Sequence, residues 1–60
     1  GLVGEIGIVK KALMPEGKVF VHGELWNARA KDPIDKDTKV RIVQVVNLIL
    51  EVEPVDQDTV

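Results

Sequence analysis

The lone tryptophan of this 60-residue chain lies in Gly23-Glu24-Leu25-Trp26-Asn27-Ala28-Arg29-Ala30. With the two-residue period of a strand, Leu25, Asn27 and Arg29 face one way and Trp26, Ala28 and Ala30 the other. One large ring beside two methyl-sized neighbours fits a tightly curved sheet, where a bulky side chain needs small ones next to it. The pattern predicts Trp26 in the middle of a small β-barrel.

The remaining segments supply the other walls. Gly1 to Leu13 reads as one long strand, with Gly4 and Gly7 marking a bulge or sharp coil. Met14-Pro15-Glu16-Gly17 is a turn in which proline presets φ and glycine accepts a positive φ. Lys18 to His22 is a strand rich in residues that suit a pleated surface. Gly23 ends it, and the short link to the Trp26 strand makes an antiparallel hairpin. Val19 and Val21 are as apolar as Phe20, so this strand's facing stays open.

Lys31 to Thr38 is a polar loop too short for a useful helix, with Ile34 placed to plug the barrel bottom. Lys39 to Val46 is the strongest strand, and Leu48, Leu50 and Val52 then alternate with Ile49, Glu51 and Glu53. Val46-Asn47 turns the chain between them, since asparagine tolerates the left-handed region. Pro54 stops the last strand, and Val55 to Val60 reads as a loose, flexible tail. The inward set is Trp26, Val40, Ile42, Leu48, Leu50 and Val52. Five short strands in a chain this small do not make a sandwich with a real interior, and closing the sheet removes bare edges. The expected fold is all-β: a five-stranded closed or partly open barrel of the oligonucleotide/oligosaccharide-binding type over 1–54, without substantial helix.

Composition narrows the function. There is no cysteine, hence no disulfide and no thiolate metal site, and a single histidine gives no ligand set. Without serine or cysteine, neither nucleophilic triad exists. Glu5 and Glu24 read as surface or rim residues rather than a catalytic pair. The glycines lie along a strand, not before a helix N-terminus, so no phosphate loop forms. Eight Lys and Arg against ten Asp and Glu leave a net charge of −2, which disfavours general nucleic-acid binding. Lys18 and Lys36 lack the apolar hairpin-tip setting of a lipoyl or biotin carrier. No apolar run reaches the ~18 residues of a membrane span. The chain opens on Gly1-Leu2-Val3 without methionine, as a fragment or processed product would.

A family resemblance rests on Gly4-Glu5-Ile6-Gly7, Leu13-Met14-Pro15-Glu16-Gly17-Lys18-Val19, Gly23-Glu24-Leu25-Trp26-Asn27-Ala28, Val40-Arg41-Ile42-Val43 and Leu48-Ile49-Leu50-Glu51-Val52-Glu53-Pro54. In these the chain resembles the soluble C-terminal domain of NfeD membrane proteins, from Gly1 to about Pro54. The most specific element is Gly-Glu-x-Trp-x-Ala after the Pro-x-Gly turn. The resemblance implies a five-stranded oligonucleotide-binding-type barrel that follows membrane spans, on the cytoplasmic side, with a stomatin- or flotillin-like membrane protein as partner. Long members add a serine-protease domain, none of whose residues is present here. The family often has glycine where this chain has Lys36-Asp37 and Asn47, a change that aspartate and asparagine tolerate at positive φ.

The expected function is therefore a non-enzymatic docking module, engaging a stomatin- or flotillin-like partner or the protein's own other domains, with no cofactor, metal or small-molecule substrate. Strand parity nominates Leu25, Asn27, Arg29, Val43 and Ile49 as outward partner-binding residues, with Val43 and Ile49 forming an apolar patch. The alternative is a nucleic-acid-binding module of the same fold, which requires an exposed Phe20 to stack bases.

Overall fold

A computed structural model of the chain describes residues 1–55; the rest of the expected tail, 56–60, lies outside the described residues. Five strands form it: β1 (Ile6–Lys11), β2 (Glu16–Val21), β3 (Glu24–Arg29), β4 (Lys39–Val46) and β5 (Ile49–Pro54). They close into a barrel in the order β1-β2-β3-β5-β4, with β4 returning to β1. All neighbours are antiparallel except β3 and β5, which run parallel. No helix occurs among the described residues.

The first strand is shorter than its apolar pattern implies. Val3 and Gly4 form a turn, with Gly4 at φ 91°, and regular pairing starts only at Ile6. The preceding residues still lie along β4, since Gly4 N–H donates to Ile42 C=O and Ile42 N–H to Glu5 C=O. Gly7 permits a close crossing: a methyl group there would stand 2.6 Å from Val19 Cγ1. Gly17 has the same role rather than the expected turn role. It lies inside β2, and a methyl group on it would sit 2.3 Å from the main-chain oxygens of Lys11 and Ala12. A bulge at Lys10, between the Val9 and Lys11 pairs, coils β1 at the same place.

The β2–β3 and β4–β5 hairpins use two-residue loops with positive φ at each central residue, the geometry that matches strand twist. His22 (φ 51°) and Gly23 (φ 77°) link β2 to β3, so His22 belongs to the turn and not to the strand. Asn47 (φ 51°) and Leu48 (φ 66°) link β4 to β5. This moves the turn one residue beyond Val46-Asn47 and overturns the core assignment of Leu48, which is 75% exposed. Its parity matches Leu50 and Val52, but a residue inside the loop has already left the sheet.

The core is Val9, Leu13, Val19, Val21, Ala28, Ile34, Val40, Ile42, Leu50 and Val52. Trp26 faces inward, paired with buried Val19, yet it is half-buried and packs against the edge of this cluster. It does not fill the middle, because β5 stops short of it and leaves one side of the ring without a strand. The floor is closed by Ile34, whose main chain bridges Leu13 through N–H···O=C bonds in both directions, 2.9 and 3.0 Å. Asp37, at φ 71°, donates its N–H to Val9 C=O and completes the connection. Val55, expected in the tail, donates its N–H to Lys39 C=O.

Leu48 is a branched residue at a position that favours glycine, and left-handed geometry costs a non-glycine residue about 1–2 kcal/mol. Leu48→Gly should therefore raise stability by about 1 kcal/mol, seen as a rise of several degrees in the thermal midpoint. An unchanged or lower midpoint would show that Leu48 is not strained.

Candidate functional site

Cross-strand register sets which side chains share the outer surface. Phe20 pairs with Ile8 on one side and Leu25 on the other, so the three form a row across β2 and its neighbours. Phe20 is 41% exposed and Leu25 56%. Lys39 follows Ile8 in the same row, and Ile6 opposite Arg41 lies one step along β1. Lys11, Lys18 and Asn27 form the row on the other side, where Lys18 Nζ donates to Asn27 Oδ1 at 2.6 Å. The convex face of β1, β2 and β3 is thus an apolar strip between cationic side chains. Arg41 lies 4.0 Å from the Glu53 carboxylate, and Glu5 is held by His22 at 3.0 Å.

A second region lies over the β3, β5 and β4 walls. A groove of 340 Å³ is lined by Arg29, Ala30, Lys31, Val43, Glu51, Val52 and Glu53. Val43, exposed next to buried Ile42, is the extra residue of a bulge between the Ile42↔Val52 and Gln44↔Glu51 pairs. Arg29 donates from Nε to Glu51 Oε2 at 2.9 Å and also through Nη2, joining the parallel strands across their seam. Gln44 Nε2 donates to the other carboxylate oxygen at 2.6 Å. The Gln44 bond first, and then the Arg29 bond, hold the Glu51 carboxyl below the usual carboxylate range, against the smaller opposing effect of burial.

The five residues nominated by strand parity do not form one surface. Leu25 belongs to the apolar row, and Asn27 lies beside it, tied to Lys18. Arg29 and Val43 line the groove, where Arg29 is occupied by Glu51. Ile49 pairs with Val46, is half-buried, and does not line the groove with Val43. Phe20, Ile8 and Ile6 were missed. Hairpin register contains the signal: a two-residue His22-Gly23 turn sets Phe20 opposite outward Leu25, and so outside.

Among the described residues, no three His, Asp or Glu side chains are grouped to hold a metal ion. Among those same described residues no polar or charged residue is buried, and Trp26 Nε1 is the one buried side-chain polar atom without a hydrogen-bond partner. No helix of the described residues is long and apolar enough to cross a membrane.

The lowered Glu51 titration has a signed consequence. The carboxylate stabilises the fold above its unfolded value, about pH 4.3, and that contribution is lost as pH falls through the lower folded value. Glu51→Gln should flatten the acid limb of urea-midpoint measurements between neutral pH and about pH 3. An identical acid limb in the variant would show that the carboxylate is not linked to folding.

Residues 1–54 match the family described as the NfeD-like C-terminal, partner-binding domain. The chain is 47% identical over 51 residues to a membrane-bound protease of Pyrococcus horikoshii, covering 82% of this chain. It spans only 12% of that protein's length. The solved C-terminal domain of a stomatin operon partner protein from the same organism superimposes with a TM-score of 0.90 and 43% identity, covering 93% of this chain and 91% of that one. The soluble domain of a Corynebacterium glutamicum membrane protein, implicated in regulation of membrane protease activity, shares the fold at a TM-score of 0.82 and 23% identity, over 88% and 90% of the two chains. The barrel, its landmarks and these likenesses agree: the chain belongs to the NfeD-like C-terminal domain family.

Proposed function

We propose that this barrel is a non-enzymatic docking module of an NfeD-like membrane protein, and that it engages a stomatin- or flotillin-like membrane protein. The observation that carries the reading is the Ile8–Phe20–Leu25 row, an apolar strip in which half-buried Ile8 adjoins solvent-exposed Phe20 and Leu25. Contiguous apolar surface of this kind marks interaction sites, with aromatic residues near their centres. The family description as partner-binding supports the role. The solved relative, described as a stomatin operon partner, supports the class of partner. The cytoplasmic side is the expected location of the module.

The second reading, single-stranded nucleic-acid binding, gains from the exposure of Phe20 and the flanking cations. It loses because the row offers one aromatic ring between two aliphatic residues, so successive bases have no second stacking surface.

Titration calorimetry against a stomatin-like protein tests the module. Phe20→Ser with Leu25→Ser should weaken binding by about tenfold or more, as expected for the centre of an interface. Val43→Ser with Ile49→Ser should change it less than about threefold, as expected for peripheral positions. The reverse ranking would move the docking surface to the β4–β5 side. Salt-sensitive binding of short single-stranded DNA or RNA, lost in Phe20→Ser, would replace the docking reading with the nucleic-acid one.

A further inference from the structure

β3 pairs with β2 along its whole length, from Glu16↔Arg29 to Val21↔Glu24, but with β5 only at Ala28↔Leu50 and Arg29↔Glu51. The β4–β5 turn is the reason. In the same parallel register, a longer β5 would set Leu48 beside Trp26, and there the chain instead reverses through Asn47 and Leu48. Glu24, Leu25, Trp26 and Asn27 therefore have no strand register on their β5 side. A shallow groove of 520 Å³ lies at this place, lined by those four residues and Leu48.

Strand alternation identifies the main-chain groups that look into it. Ala30 N–H donates toward β2, to Pro15 C=O at 3.1 Å. Counting back in twos, Ala28 and Trp26 direct their main-chain groups to β2, and Leu25 and Asn27 direct theirs the other way. The N–H and C=O of Leu25 and the N–H of Asn27 thus face the groove ahead of the first β5 pair.

We propose that this seam accepts an extended segment of a partner protein, which adds to β3 as a short strand. Its apolar side chain rests on Trp26 and Leu48, and a basic side chain sits opposite Glu24. Main-chain bonds along an open strand edge supply affinity in such additions, and alternate side chains supply selectivity. Charge selects the occupant, because Glu24 is the one charged side chain lining the groove. A second copy of the chain meets this requirement poorly. Its own free edge, Glu24 to Asn27, carries no cation, and its Arg29 is already engaged by β5. The proposal relies on the docking reading only for the source of the segment.

Amide hydrogen exchange followed by NMR tests it. In the free chain, Leu25 and Asn27 should exchange at least about tenfold faster than Trp26 and Ala28. Equal protection of all four would mean a closed seam and overturn the proposal. The probe is a capped hexapeptide with valine and lysine two residues apart and threonine elsewhere, so that both side chains share one face as Trp26 and Glu24 do, at millimolar concentration. It should slow Leu25 exchange by about fivefold or more, with a smaller effect in Glu24→Gln. Unchanged Leu25 exchange, or changes confined to Ile8 and Phe20, would overturn the proposal and leave the docking reading standing. Protection of Leu25 that grows with protein concentration and needs no peptide would assign the seam to self-pairing and overturn it too. A stomatin-like protein that fails to bind the chain would remove the docking reading without altering the peptide result.

Discussion

The near-contact of β1 and β2 at Gly7 and Gly17 is the constraint on which the barrel depends. Five strands enclose very little space, so the sheet must coil hard, and coiling brings two crossing main chains within a side chain's width. At both glycines even a methyl group would enter occupied space: a side chain and a carbonyl of β2 at Gly7, and the carbonyls of Lys11 and Ala12 at Gly17. Overpacking of this kind displaces backbone, not only a rotamer. The bulge at Lys10 belongs to the same device, because it supplies the extra residue with which β1 makes its bend.

Once the sheet has coiled, its inside and outside serve separate ends. Among the described residues the fully buried side chains are all aliphatic and none is charged. On the convex side, register, not sequence proximity, brings Ile8, Phe20 and Leu25 together. The two convex regions differ in kind. Over β5, cation and carboxylate neutralise one another across the seam, and the Arg29–Glu51–Gln44 group is committed to holding strands together. Over β1 and β2, the cations flank apolar side chains, with Lys18 engaged by an amide and not by a carboxylate. A surface already satisfied internally has less to offer a partner than one whose groups still face water.

How much of this could be read from residues alone follows from which signals are local. Alternation in Val40, Ile42, Leu50 and Val52 is a property of each strand by itself, and all four residues are buried. Ile34 was legible because it is the single apolar residue of a polar loop. Leu48 was misplaced because alternation does not reveal where a strand ends. Leucine in a left-handed turn position runs against propensity, so only the pairing of Val46 with Ile49 discloses the loop. Trp26 was given the centre because its neighbours are small, but its burial depends on how far a different strand extends. Gly17 looked like a turn residue after proline, while its real constraint is a carbonyl several residues earlier in the chain. The binding surface suffered most: a bulge at Val43 shifts parity along β4, and parity was the sole basis for grouping Val43 with Ile49.

Ile34 has a consequence for how the chain tolerates change in length. The passage from β3 to β4 is fastened at Leu13 by the Ile34 bridge and at Val9 by Asp37 and Thr38. Lys31, Asp32 and Pro33, ahead of the first fastening, are exposed and contribute no side chain to the interior. Extra residues spliced there enlarge a loop whose ends stay anchored, and doubling such a loop costs only about 0.6 kcal/mol in closure entropy. The underside of the barrel is thus a natural graft point, remote from the apolar row, where a reporter or a further domain can be carried without disturbing the walls above it.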